Sequence, residues 1–288
     1  MATWNRLPPW RPSARSAEAS PPLSAMPPAR VVLYLATASV LLMVFRALLV
    51  GPLPFAWSAL ATAGYGALVL GGVFVLRWRI FVDATVRGPR GARGVALTFD
   101  DGPHPRWTPR VLATLAAHHA RATFFLVARK AEEYPEIVRA IVDAGHAVGL
   151  HSYAHDRFFA LRRAGRVRAD LERGLEVLAK ITGRRPTLFR PPIGHTNPVI
   201  AGVVDDLDLT VVGWSAAGRD GLASARVDDV IARVCRGLRD GAIVLLHDAP
   251  ERGNREPAAV RALPIILDTL AAERLDVVPL EAWVDRGK

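Results

Sequence analysis

From about Arg77 onward, short apolar runs of β type alternate with longer stretches of helical period. This alternation constrains the fold more than any other feature. The runs cover 95–99, 122–127, 147–150, 187–190, 209–213, 242–246 and 277–280. Helical patterns fall between or after them, at 108–119, 134–144, 165–181, 227–238 and 257–272. A parallel neighbour is reached only through a crossover, so strands alternating with helices predict an α/β fold with a parallel sheet. Seven such units suggest a (β/α) barrel related to the eightfold one, rather than an open sheet, over residues 77–288.

The chain before that domain divides in two. Residues 1–30 hold seven prolines among Ala, Ser and Arg with no apolar period, which predicts a disordered tail. Residues 31–50 are apolar apart from Arg46, and 55–76 carry no charge. Each is close to the ~20 residues that cross a bilayer. The Gly51-Pro52-Leu53-Pro54 breaker between them makes a two-helix transmembrane hairpin over 31–76 the natural reading, and an integral membrane protein the expectation. A cleaved signal peptide fits poorly, because its apolar core is shorter and ends in a small-residue site. Arg6, Arg11, Arg15 and Arg30 precede the pair, Arg77, Arg79, Arg87, Arg90 and Arg93 follow it, and the loop has no charge. The positive-inside tendency then leans toward a cytoplasmic catalytic domain.

A net charge of +10 raises the question of nucleic acid. Only Lys130, Lys180 and Lys288 are lysines, and no basic run alternates with aromatics, so no nucleic-acid partner is expected. The lone Cys235 lies in an apolar helical pattern; it excludes an intramolecular disulfide and any multi-cysteine metal site.

Four clusters follow predicted strands, where catalytic groups gather in such folds. Thr98-Phe99-Asp100-Asp101-Gly102-Pro103 offers two carboxylates that a Gly-Pro turn can splay, although the string also suits a surface turn. His151 and His155 share one face if their segment is helical, and with a carboxylate could hold a catalytic ion. His104, His118, His119 and His146 are given no role. Arg190-Pro191-Pro192-Ile193-Gly194 is a stiff loop whose arginine can clamp a carboxylate, or else a plain strand-to-helix turn. His247 ends a buried run and could be a general acid or a core histidine; Trp214 and Asp220 offer a groove wall and a carboxylate partner.

In this order the clusters resemble the polysaccharide deacetylases of carbohydrate esterase family 4, from about Val95 to Leu280. The resemblance implies a seven-stranded distorted barrel and a divalent metal, usually zinc, held by Asp101, His151 and His155. It further implies Asp100 as catalytic base oriented by Arg190, and His247 as catalytic acid tuned by Asp220. The Ile193 N–H would share the oxyanion, and Pro191, Pro192, Trp214 and Leu245 would line the substrate groove. Two positions depart from the family: Ile193 stands where an aromatic is common, and Gly221 where a second tryptophan usually follows the aspartate. The implied activity is removal of N-acetyl groups from an amino-sugar poly- or oligosaccharide of the cell envelope. The alternative is deacylation or deformylation of a lipid-linked amino sugar at the membrane face. A catalytically dead sugar-binding domain would have lost at least one of these residues, and all are present.

Overall fold

The computed structural model of the protein describes residues 26–284. Two helices come first, α1 (Pro28–Val50) and α2 (Phe55–Phe74). Both are long and apolar enough to cross a membrane. Neither is a core helix: α1 buries no residue and α2 only Gly72. They lie against each other, with the Thr37 and Tyr65 hydroxyls 3.1 Å apart. Helix α1 already begins at Pro28, inside the stretch expected as a tail; residues 1–25 of that tail lie outside the described residues.

The remainder alternates strand and helix: β1 (Val95–Asp100), α3 (Thr108–Ala117), β2 (Ala122–Leu126), α4 (Ala128–Glu133), α5 (Pro135–Asp143), β3 (Ala147–Leu150) and α6 (Ala164–Thr182). Then come β4 (Leu188–Phe189), α7 (Pro198–Asp206), β5 (Thr210–Val211), β6 (Ala216–Ala217), α8 (Val227–Gly237), β7 (Ala242–His247), α9 (Ala258–Ala272) and α10 (Glu281–Val284). The strands form one sheet, ordered β5-β4-β3-β2-β1-β7-β6, and every pairing is parallel. Strands β1 and β2 are buried on both faces, as parallel strands covered by helices must be. Helix α6 shows the complementary pattern, burying Val167, Leu171, Leu175 and Leu178 at spacings of three and four. Cys235 is a half-buried free thiol in α8, packed against the core.

The expected barrel is corrected to a curled half-barrel. Strands β5 and β6 are the two ends of the sheet and do not pair with each other. Both are two residues long, too short for the ladder that closure needs. At the gap the chain entering the domain crosses instead, bridging Thr85 to Val212 and Arg87 to Ala242. The strand count agrees with the expectation, but the membership differs. The run at 277–280 makes only a single bridge, Val277 to Val95, because β1 already has β2 and β7 on its two edges. The seventh place goes to Ala216–Ala217, which takes the free edge of β7.

Candidate active site

The register puts the chemistry at one end of the sheet. Asp100 is the last residue of β1 and His247 the last of β7, and the two are direct ladder partners. Each is tied to its own buried counter-charge. Arg190, fully buried just after β4, donates from Nη1 to Asp100 Oδ1 at 2.6 Å and to the Thr98 hydroxyl at 2.8 Å. Its remaining donors reach the carbonyls of Val212 (3.2 Å) and Gly213 (3.0 Å), and its plane lies over the Phe125 ring. A buried guanidinium satisfied on all sides fixes the carboxylate in position as well as in charge. Burial pushes the Asp100 pKa up, and the nearby Arg190 and His247 charges oppose that rise.

His247 is held from the other side. Buried Asp220 accepts from its backbone N–H at 2.8 Å and from ring Nδ1 at 3.1 Å, leaving Nε2 free for the cleft. Burial works against the imidazolium, but the Asp220 charge and hydrogen bond outweigh it, with help from Asp101 and Asp100. The His247 pKa is pushed up to about 10.

Asp101, His151 and His155 converge beside Asp100. Asp101 takes a left-handed backbone (φ 73°) that turns its side chain away from the strand direction. The next residue has to be glycine: a Cβ on Gly102 would lie 2.4 Å from Asp248 Oδ2. The two histidines are not on a helix, which corrects the sequence expectation. Residues 151–155 form a loop with left-handed residues at Ser152 and His155, braced by a 2.9 Å bond from the His155 N–H to the Ser152 hydroxyl. The turn brings the rings to a centroid distance of 4.9 Å.

This trio fits a metal ion. A tetrahedral ion with bonds of about 2.0–2.1 Å sets its donors about 3.3 Å apart. Asp101 Oδ1 stands 3.1 Å from His155 Nε2 and 3.6 Å from His151 Nε2, and all three donors fall within 4.8 Å of one another. Asp101 Oδ1 is buried with no hydrogen-bond partner among the described residues, an expensive state unless a cation satisfies it. His151 donates from Nδ1 to the Arg190 carbonyl at 2.8 Å, the outer bond that fixes a ligating tautomer and leaves Nε2 with its lone pair. Burial, with repulsion from His155, drives the His151 pKa down to about 3, so its ring is the neutral form that binds metal.

These groups open into a cleft of ≈ 470 Å³ lined also by Trp214, Leu245, Ile193 and Gly221. Ile193 has a left-handed backbone (φ 50°) and is 44% exposed. Gly194 follows at φ 73°, where a Cβ would lie 2.6 Å from the Trp214 ring. Gly221 lies on the face of the His247 imidazole, with space for a Cβ only at 3.2–3.4 Å from the ring atoms. Pro191 and Pro192 are buried and stand outside the cleft lining, so they set the course of the loop.

Sequence reasoning missed several residues here. Arg157, Arg219, Leu222 and Glu251 line the cleft, and Glu251 is ion-paired to Arg157. Lys130 donates to the carbonyls of Asp101 (2.8 Å) and Pro250 (2.9 Å), joining the loops after β1 and β7. Buried Asp248 accepts from the Thr108 hydroxyl, and burial pushes its carboxyl up to about 7. The rarity of lysine in this chain was the available signal for Lys130, and adjacency to His247 the one for Asp248.

A family model, polysaccharide deacetylase, matches residues 87–212. The chitooligosaccharide deacetylase of Azorhizobium caulinodans is 36% identical over 197 residues, 65% of this chain and 92% of that protein. The chain belongs to the polysaccharide deacetylase family. Its polysaccharide deacetylases are hydrolases of the carbon–nitrogen bond of N-acetyl groups, and so is this enzyme. Two solved polysaccharide-deacetylase-like structures share its fold. The Bc1960 peptidoglycan N-acetylglucosamine deacetylase superposes with a TM-score of 0.65 at 30% identity, covering 70% of this chain and 93% of that one. A family 4 acetyl xylan esterase from Clostridium thermocellum, in complex with a cobalt ion, gives 0.60 at 34% identity, covering 66% and 90%.

Proposed function

We propose that the protein removes N-acetyl groups from an amino-sugar poly- or oligosaccharide of the cell envelope, using a divalent ion, zinc first, held by Asp101, His151 and His155. One observation carries this reading. The donor trio is flanked by a carboxylate and an imidazole that are ladder partners, each locked to a buried ion of opposite sign. Two imidazoles with one carboxylate suit zinc, and the cobalt in the acetyl xylan esterase supports a divalent ion of that class.

A bound ion supplies Lewis acidity, making a water acidic enough to ionise near neutral pH and polarising the acyl oxygen. Asp100, with Oδ1 occupied by Arg190, takes the proton of the attacking water on its free oxygen as the water oxygen bonds to the acyl carbon. The Ile193 N–H, on a loop stiffened by Pro191 and Pro192, donates to the developing oxyanion. His247 delivers the Nε2 proton to the sugar nitrogen as the carbon–nitrogen bond breaks, so acetate and a free amine leave. Arg190 and Asp220 position base and acid, while Trp214 and Leu245 form the walls that the sugar ring meets. The peptidoglycan and chitooligosaccharide names of the relatives support a glycan substrate. Helices α1 and α2 are the membrane anchor of a catalytic domain that follows them, and their apolar exposure supports that role.

The test is acetate release from N-acetylglucosamine oligomers by the full chain in detergent, with and without a chelator, beside Asp100→Asn. Release that the chelator stops, that added zinc restores and that the variant lacks by ~10²-fold or more is the expected result. Release that survives metal stripping, confirmed by elemental analysis, would overturn the reading.

A further inference from the structure

The end of α2 and the rim of the cleft are one piece of structure. Thr196 donates its backbone N–H to the Val73 carbonyl at 3.1 Å, and Phe74 packs edge-on against His195 at 4.7 Å. One residue further on, the Asn197 amide donates to the Ala160 carbonyl. With the Thr196 hydroxyl donating to the Gly72 carbonyl at 3.5 Å, three hydrogen bonds connect the C-terminal end of α2 to residues 193–199, and these to the turn at Phe159–Leu161. The start of α1 is fastened to the same region, since Arg30 donates to the carbonyls of Arg79 and Ile80 and pairs with Asp83.

That rim exposes large apolar side chains. Phe159 and Ala160 are buried, whereas Phe158 and Leu161 beside them are 65% and 78% exposed. Ile193 and Val199 add two more exposed apolar residues on the neighbouring segment. Residues 156–166 also carry four arginines against one aspartate. Arg157 and Arg162 are ion-paired to Glu251 and Asp156, and Arg163 and Arg166 are exposed at the start of α6. Bulky apolar residues at a turn, flanked by arginine, are the composition that settles at the boundary between lipid headgroups and acyl chains. Scattered single hydrophobics need no explanation, but this group continues directly from the end of an apolar helix long enough to span.

We propose that the rim is a second membrane-contact surface. Phe158 and Leu161 seat in the headgroup–acyl boundary of a phospholipid bilayer, with Arg163 and Arg166 against the lipid phosphates. Ile193 and Arg157 belong both to this neighbourhood and to the lining of the cleft, so the contact holds the cleft mouth at the membrane surface. The proposal rests on the reading of α1 and α2 as bilayer spans.

The test uses the full chain in phosphatidylglycerol–phosphatidylcholine vesicles with nitroxide-labelled acyl chains. An environment-sensitive fluorophore is attached at Phe158→Cys or Leu161→Cys in a Cys235→Ser background. Leu42→Cys, within α1, reports the span, and Ile265→Cys, exposed on α9, is the distant control. Loss of fluorescence at 42, 158 and 161, with none at 265, is expected. Loss at 42 alone overturns the rim contact and leaves the anchor standing. No loss at 42 overturns the anchor, and the rim contact with it. Both rim probes replace exposed side chains, so either can report if the other disturbs the turn.

Discussion

Replacing Asp220 with asparagine should move the alkaline limit of activity more than any other single change. Asp220, facing Nδ1 at 3.1 Å, is the largest of the charges that hold His247 as an imidazolium against the cost of burial. Two unit charges about 4 Å apart interact by about 4 kcal/mol at an effective dielectric of 20. At 1.36 kcal/mol per unit, removing that charge lowers the His247 pKa by about 3 units from its value of about 10. The sign follows from the role of acid proposed for His247: activity should be present while His247 is protonated and be lost as pH rises through its pKa. A cation on the Asp101 trio lowers the limit in both proteins and leaves the difference between them. The assay is kcat/KM against pH, from 5.5 to 10.5 as chosen settings, for the full chain on N-acetylglucosamine oligomers. About one pH unit above its own alkaline limit the variant's ring is only about one-tenth protonated, while the parent's limit lies about 3 units higher. The variant should therefore be about tenfold slower than the parent there and recover at lower pH. Folding follows the same linkage. The raised pKa stabilises the native state fully below about 6.5, and that stabilisation is lost as pH climbs to about 10. An unchanged alkaline limb with a uniform loss of rate would refute the reasoning, reducing Asp220 to packing.

Two further changes test the scaffold under the site. Arg190→Met leaves the Asp100 charge buried without its partner, which costs about 3–5 kcal/mol and should lower Tm by roughly 10 °C, read by scanning calorimetry in detergent. A melting temperature that stays put would mean that Asp100 is neutral in the native protein. Gly194→Ala sets a Cβ against Trp214 at a left-handed position, costing about 1–2 kcal/mol for the backbone alone. The loop must shift and takes the Ile193 N–H with it, so the chelator-sensitive kcat on oligomers should fall by about tenfold or more; an unchanged kcat would remove this loop from the reacting centre.

The parallel alternation was legible because buried strands are apolar on both faces and helices between them show a stripe. The closure was not, because the sheet ends are set by strands of two residues that carry no pattern. Ala216–Ala217 has poor β propensity and pairs only because β7 offers it an open edge. The run at 277–280 has good propensity and stays single because β1 has no edge left. Propensity describes the segment, whereas pairing depends on what its neighbour has free. Helix α7 could have been read from its ends: Pro198 fills the first turn, and Asn197 caps it by accepting from the Ile200 N–H at 2.8 Å.

The site shows the same division more sharply. Residue types at strand ends pointed to Asp100, Asp101, His151, His155, Arg190, Asp220 and His247, but not to the means that bring them together. Helical spacing was invoked for the histidines, and the actual device is a loop with two left-handed residues. Asp100 and His247 are neighbours on adjacent parallel strands, where strand spacing is only about 4.8 Å. Left to each other, such a pair would share one proton in a closed ion pair and do no acid–base work. Arg190 binds one and Asp220 the other, so each finds its counter-charge on the side away from the cleft and keeps one atom free toward it. In the proposed reaction, two buried ion pairs of opposite orientation thus hold a proton acceptor and a proton donor side by side, which hydrolysis of an amide requires in a single turnover.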